Sequence, residues 1–91
     1  MSDILALGAL EAAAELGLSL PRELSVVGFD DSPAAVHAAP PLTSVAQPQE
    51  EKGRLAAEWL MEEIDADQPP GWHTQTILPT QLVVRESTAP P

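Results

Sequence analysis

The order of apolar and polar positions predicts a long, mostly apolar helix near the start of the chain. Within residues 3–16, Glu11 and Glu15 are the only polar side chains after the first position. Ser2 is a favourable N-cap, and Gly17 is favourable just past the end of a helix. Because a broad face and its flanks are apolar, we expect this helix to be covered on more than one side.

A buried strand is expected next. Residues 24–29 are rich in β-branched and aromatic side chains without alternation, which is typical of a parallel strand covered on both faces. Ser32 and Pro33 then favour a short helix over residues 34–37. The prolines at 40 and 41 favour an extended segment at residues 42–47.

The second half of the chain contains the clearest amphipathic helix, residues 48–65. Its apolar positions recur at a spacing of three or four: Leu55, Ala56, Trp59, Leu60 and Ile64. A linker is predicted at 67–71, short strands at 76–78 and 82–85, and a frayed end at 86–91. Helices alternating with short apolar strands indicate an α/β fold.

Composition narrows the possible functions. A chain of 91 residues sustains one small core, so two autonomous domains are excluded. Four Lys and Arg against fourteen Asp and Glu give a net charge of −10, which disfavours direct DNA binding by these residues. The longest apolar stretch, residues 4–20, contains two glutamates and follows no basic region. It predicts neither a membrane span nor a signal peptide, and we expect a soluble, cytoplasmic protein.

Catalytic and metal chemistry find no support in the sequence. There is no cysteine, and the two histidines lie at 37 and 73. No phosphate-binding loop or nucleophile motif is present. We therefore expect no enzyme activity, no metal site and no cofactor.

The most informative polar pair is Asp30 and Asp31. Both follow the carboxyl end of the predicted strand 24–29, where open α/β sheets bind ligands. Carboxylates at that position suit a neutral polyhydroxy ligand, whose hydroxyl groups donate to them. The alternative is that Asp31 or Ser32 only caps the following helix.

The order of several short motifs closely resembles the last part of the lactose/galactose-repressor family. The segments that carry the resemblance are 2–10, Gly17-Leu18 with Pro21, 25–31, 40–48, Gly53 with Ala56, and 78–88. The match runs from residue 2 to about residue 88.

The resemblance implies a fold and an organisation. Members of the family join a helix-turn-helix headpiece to a periplasmic-binding-protein-like sensor whose two α/β lobes close on a small molecule. This chain resembles an incomplete part of that type I fold, with a mostly parallel sheet flanked by helices. Residues 1–88 would form the C-terminal part of the sensor, with residues 2–42 and 74–88 in the C-lobe. Residues 43–47 would be a crossover, 48–65 an N-lobe helix, and 89–91 a tail.

The resemblance also implies site residues. Asp30, Gln47 and Ser2 occupy ligand-contacting positions of the family, although Ser2 stands where the family often has asparagine. The first helix and residues 34–39 resemble a dimerisation surface, for which we name Leu7, Leu10, Ala34 and His37.

The function implied is effector sensing and dimerisation within a DNA-binding transcription regulator. The effector would be a carbohydrate-like small molecule, the assembly a homodimer, and DNA would be contacted only through a headpiece absent from this chain. Two alternatives stay open: a piece of a periplasmic sugar-binding transport protein, and a stand-alone acidic module that forms mixed dimers with full-length regulators. The helix at 48–65 would lack its natural cover, so we expect it to dock on a second copy or fold back on its own sheet.

Overall fold

A computed structural model describes residues 1–65 and 75–91, and that part of the chain forms an α/β arrangement of helices and short strands. In chain order the elements are α1 (Asp3–Glu15), β1 (Val27–Phe29), α2 (Pro33–His37), β2 (Thr43–Ala46), α3 (Gln49–Asp65) and β3 (Gln81–Val83). Two compact units are present, one formed by Met1–Gln47 with Thr80–Pro91 and the other by Pro48–Pro79. Within the described ranges, no helix combines the length and apolarity needed to cross a bilayer.

The first unit is built on a mixed three-stranded sheet in the order β1, β2, β3. β1 and β2 are parallel, with Gly28 opposite Ser44. β2 and β3 are antiparallel, with Val45 opposite Leu82. The parallel pair places the ends of β1 and β2 at the same edge of the sheet, which is where the candidate ligand residues lie.

The core lies between α1 and one face of this sheet. Its buried members are Ala6, Leu10, Val26, Ala35 and Leu42. α1 contributes positions three and four residues apart, as a helix packing along one stripe must. The helices expected at residues 3–16 and 48–65 are confirmed, since α1 and α3 fall within a residue of their predicted limits.

On the other face of the sheet, apolar side chains of the described residues remain exposed, so the expectation of a strand covered on both faces is wrong. Val27 and Phe29 are each 39% exposed, and Leu82 is 56% exposed. These side chains point away from the α1 side because strand residues alternate between faces. A run of apolar residues indicates that both faces of a strand are suited to burial. It does not indicate that the same chain covers both faces.

The strand predictions near the C-terminus need correction. Residues 76–78 form no strand, and Ile77 is 95% exposed. The last strand begins at Gln81 and ends at Val83, because its register is set by pairing with β2. The predicted linker at 67–71, His73, Trp72 and Thr74 lie outside the described residues.

The frayed end predicted for residues 86–91 is also wrong. Ser87 is fully buried; its hydroxyl donates to the Val26 carbonyl at 2.6 Å and accepts from the Thr43 N–H at 2.8 Å. The Ala89 N–H reaches Ser25 Oγ at 3.1 Å. The chain after β3 is therefore part of the sheet unit, and the assignment of residues 89–91 as a tail stays a prediction.

α3 is a 17-residue helix with no buried residue. Of its apolar stripe, Leu60 is 58% exposed and Ile64 is 67% exposed. Arg54 pairs with Glu58 one turn later at 2.9 Å, as exposed charges on a helix commonly do. Cover of this stripe by a second copy stays a prediction, as does the assignment of α3 to an N-lobe.

Candidate functional site

The candidate site is the turn that follows β1, here called the Asp30 turn (residues 30–32). Asp30 has φ of 116° and Asp31 has φ of 52°, so two consecutive non-glycine residues have positive φ. Such conformations cost about 1–3 kcal/mol each and persist only where the surroundings impose them. Two adjacent residues with positive φ therefore mark the turn as a candidate functional site.

Hydrogen bonds donated by three successive N–H groups hold the Asp30 turn. The Asp30 N–H donates to the Val45 carbonyl at 2.9 Å, and the Asp31 N–H donates to Ser44 Oγ at 2.9 Å. The Ser32 N–H donates to Asp3 Oδ2 at 2.7 Å. The turn is thus fixed by β2 and by the first residue of α1.

Asp30 and Gln47, two of the predicted ligand residues, are brought together. Gln47 Nε2 donates to Asp30 Oδ1 at 2.7 Å, and both residues are half-buried. Gln47 follows the end of β2 as Asp30 follows the end of β1, so the parallel pairing explains why they meet. A carboxylate beside an amide offers both acceptors and donors to a hydroxylated ligand. Their role as ligand contacts stays a prediction.

Asp31 points to a different partner. Its Oδ1 accepts from Arg85 Nη2 at 2.5 Å, and Arg85 Nη1 donates to the Leu42 carbonyl at 2.8 Å. Ser32 occupies the N-cap position of α2 without a side-chain capping bond. The alternative that the Ser32 side chain caps the following helix is therefore wrong.

Asp3 is a site residue that sequence reasoning missed. It is only 2% exposed, and its carboxylate accepts from Ser44 Oγ at 2.7 Å and from Ser32 Oγ at 2.8 Å, besides the Ser32 N–H. Burial alone would raise the pKa of Asp3, but the hydrogen bonds from Ser44 and Ser32, with the Arg85 charge, lower the pKa below its ordinary value. Asp3 is therefore ionised at neutral pH.

The spacing of α1 could have revealed Asp3. Asp3 lies three residues before Ala6 and seven before Leu10 on the buried face of the helix. A carboxylate in line with core positions predicts a buried partner network. Its partners could not have been named, because both serines lie far away in the sequence.

Gly28 allows the approach of Asp3 to the sheet. A Cβ at position 28 would overlap the Asp3 carboxylate and lie 2.9 Å from Leu42 Cδ2. Glycine is required there for close packing between α1 and β1.

Ser2 has a clear structural role. Its hydroxyl accepts from the Leu5 N–H at 3.4 Å, a long capping bond at the start of α1. The ligand contact assigned to Ser2 by resemblance stays a prediction.

The predicted dimer residues divide between core and surface. Leu10 is 3% exposed and belongs to the core, so it has almost no area left for a partner. Leu7 is half-buried, while Ala34 and His37 are exposed on α2. The expectation for Leu10 is corrected, and the dimer prediction rests on Leu7, Ala34 and His37, here called the α1–α2 surface.

Sequence reasoning also missed exposed apolar residues on α1. Ile4 is 82% exposed and Leu5 is 64% exposed, on the side of the helix away from the core.

As for metals, the part of the chain that the structure describes contains no cluster of three or more histidine and acidic side chains able to hold an ion.

The family model for the periplasmic binding protein-like domain matches residues 1–88. The chain belongs to this family. The partial periplasmic-binding-protein-like fold expected from the sequence is thereby confirmed, and the open face of the sheet is what a part of such a fold would show.

The chain is similar to bacterial members of the family that regulate transcription. It is 48% identical to the HTH-type transcriptional regulator MalR of Streptomyces coelicolor over 97% of this chain and 25% of that protein. It is 40% identical to the ribose operon repressor of Haemophilus influenzae over 94% of this chain and 25% of that protein. The chain therefore spans about a quarter of the length of these relatives. These relatives are a transcription regulator and an operon repressor.

Solved structures of the family agree. A complex of the transcriptional regulator CelR with cellobiose has a TM-score of 0.83 at 42% identity, covering 94% of this chain and 26% of that one. A dimeric Lac repressor has a TM-score of 0.81 at 33% identity, covering 99% of this chain and 32% of that one. The resemblance to the lactose/galactose-repressor family is confirmed.

Proposed function

We propose that this chain is the effector-sensing and dimerisation portion of a sugar-responsive, DNA-binding transcription regulator. The observation that carries the proposal is the contact of Asp30 with Gln47 at the shared end of two parallel strands. The positive φ of Asp30 and Asp31 supports the proposal, because backbone strain of this kind is often found at functional sites.

The chemistry of the pair favours a neutral carbohydrate. An ionised carboxylate accepts hydrogen bonds from hydroxyl groups, and an amide can both donate and accept. The CelR relative is found in complex with cellobiose, a ligand of this chemical class. An anionic ligand would be repelled by the carboxylates of the turn and by the charge of −10 on the whole chain.

The same charge assigns DNA contact to other parts of the regulator. A surface with fourteen acidic and four basic side chains cannot replace the counterions of a DNA phosphate backbone. We propose a cytoplasmic location, as regulation of transcription requires. The similarity to transcription regulators favours this function over a transport binding protein.

Dimerisation is assigned to the α1–α2 surface. Ile4, three residues before Leu7 on α1, extends this surface with apolar area that a folded monomer leaves in water. A related Lac repressor has been solved as a dimer, which supports self-association of such regulators.

A chimera tests the ligand role of Asp30. This chain replaces the matching segment of Thermobifida fusca CelR, to which it is 42% identical over 86 residues, and cellobiose binding is measured by calorimetry. Asp30→Asn should weaken binding at least tenfold, about 1.4 kcal/mol, with little change in melting temperature. Asp65→Asn, an exposed acid on α3, is the matched control and should leave affinity unchanged. The proposal would be contradicted if Asp30→Asn left the cellobiose affinity of the folded chimera unchanged. It would also be contradicted if the folded chimera bound no cellobiose.

A further inference from the structure

Two adjacent acids of the Asp30 turn face different partners. Asp30 contacts the Gln47 amide, whereas the Asp31 carboxylate contacts the Arg85 guanidinium. Arg85 lies 54 positions after Asp31, and only 17% of its side chain is exposed. The partner of the Asp31 side chain therefore comes from the far end of the chain.

We propose that Arg85 is a positioning residue for the ligand site. By holding the Asp31 carboxylate and the Leu42 carbonyl together, it fixes the Asp30 turn so that Asp30, and not Asp31, stands beside Gln47. This inference rests on the proposed function for the ligand role of Asp30, but the turn geometry itself can be measured without any ligand.

The guanidinium has the geometry that this task needs. Its two terminal nitrogens donate in different directions, one to Asp31 and the other to the Leu42 carbonyl just before β2. A lysine has one terminal nitrogen on a flexible stem and cannot hold two acceptors in a fixed fork. The Arg85 N–H also donates to Thr43 Oγ1 at 2.9 Å, so the backbone of Arg85 is tied to β2 as well.

The strain of the turn gives this contact a consequence. Asp31 has a φ of 52°, which an L-residue leaves unless its surroundings hold it. Ser44 holds the Asp31 N–H and Arg85 holds the Asp31 side chain. Without Arg85, Asp31 keeps its N–H bond to Ser44 but its carboxylate loses this cation, and that carboxylate then competes with Asp30 for the amide of Gln47.

Neighbouring charges make Arg85 the natural partner. Asp3, Asp30 and Asp31 all lie on the Asp30 turn or bind to it, and Arg85 both pairs with Asp31 and lowers the pKa of Asp3. Neutralising one of three clustered carboxylates reduces their mutual repulsion. Because Arg85 pairs with Asp31, Asp30 is the acid that remains beside Gln47 for a ligand.

Nuclear magnetic resonance of the 91-residue chain tests the positioning role. The HN–Hα couplings of Asp30 and Asp31 report their φ angles, and the Gln47 side-chain amide signal reports its contact with Asp30. Arg85→Lys keeps the charge and is expected to change the Asp31 coupling and the Gln47 amide signal, with a melting temperature close to that of the parent chain. Arg54→Lys is the matched control, because Arg54 forms an exposed pair with Glu58 on α3.

Affinity in the CelR chimera provides the second measurement. Arg85→Lys should weaken cellobiose binding about tenfold, whereas Arg54→Lys should not change it. Unchanged couplings and amide signals in Arg85→Lys overturn the proposal. The proposal also fails if Arg85→Lys unfolds while Arg54→Lys stays folded, because Arg85 then has only a structural role. If Arg85→Lys shifts the signals but Asp30→Asn leaves affinity unchanged, the positioning role stands and the proposed ligand role fails.

Discussion

Asp3 shows at the scale of one residue how a buried charge can be useful in a small protein. A carboxylate removed from water is unfavourable unless donors replace its hydration. Here the donors are two hydroxyl groups and one N–H from Ser32 and Ser44. Because Ser44 in turn accepts from the Asp31 N–H, the charge at the start of α1 orients a hydroxyl that supports the Asp30 turn.

The Asp3 contribution should depend on pH in a defined direction. The pKa of Asp3 is lower in the folded chain than its ordinary value of 3.8, so the unfolded chain binds the proton more readily. The stabilisation is complete above that ordinary value and is lost as the pH falls through the folded pKa. Asp3→Asn should lower the free energy of unfolding by about 2 kcal/mol at pH 7.

Urea unfolding at pH 7 and near pH 3 measures this effect. The difference in free energy of unfolding between the parent chain and Asp3→Asn should shrink at the lower pH, because unfolding of the parent chain then takes up a proton at Asp3. Glu11→Gln, on the exposed part of α1, is the control and should change stability by no more than about 0.5 kcal/mol. A difference that is equal at both pH values would show that the charge of Asp3 does not stabilise the fold.

At the scale of elements, α1 has separate faces for separate roles. Ala6 and Leu10 cover the sheet, Asp3 enters the polar network, and Ile4 and Leu5 remain in water. The sequence showed that the helix was too apolar for one interface, and this inference is consistent with its exposed side. Which residues belonged to which side depended on the rotation of the helix against the sheet, and Leu10 was assigned to the wrong one.

Self-association through the α1–α2 surface is testable by light scattering. Leu7→Glu and Ala34→Glu place a charge in an apolar contact, at a cost of a few kcal/mol, and should halve the mass of the particle. Leu16→Glu is the matched control at the other end of α1, since Leu16 is 78% exposed and outside this surface. Ala34→Glu is included because Ala34 is exposed in the monomer, so this variant should stay folded even if Leu7→Glu does not. Equal masses for all folded variants would exclude this surface.

At the scale of the whole molecule, apolar area remains uncovered. Leu60 and Ile64 on α3 and Phe29 and Leu82 on the sheet are all considerably exposed. Complete burial of one such side chain contributes about 1.5–3 kcal/mol, a large share of the stability of a small domain. A chain that spans a quarter of its relatives would be expected to leave such faces without cover.

We predict that the α3 stripe becomes buried when copies of the chain associate. In a Trp72→Phe background, the fluorescence of Trp59 should shift to shorter wavelength and resist iodide quenching as concentration rises. Leu60→Gln with Ile64→Gln should abolish the shift, because two buried aliphatic side chains are lost. Glu51→Gln with Glu62→Gln, on the polar side, should preserve it. Trp59 emission that stays solvent-like in an associated chain would contradict the prediction.

The sequence by itself determined the elements whose causes are local. Caps, helical periodicity and proline positions set the limits of α1 and α3, because each acts within a few residues along the chain. The ordered motifs identified the family and, with the strand ends, indicated Asp30 and Gln47. That these two side chains touch follows from the parallel pairing of β1 with β2.

Only the tertiary structure decided the polar network, the true last strand and the side of α1 that forms the core. Asp3 with Ser44, Asp31 with Arg85 and Ser87 with Val26 join residues 41, 54 and 61 positions apart. No local pattern specifies such pairs, because they depend on strand register and on the rotation of a helix against a sheet. For the same reason, the strand predicted at residues 76–78 failed: β-structure requires a partner strand, and β2 pairs with Gln81–Val83 instead.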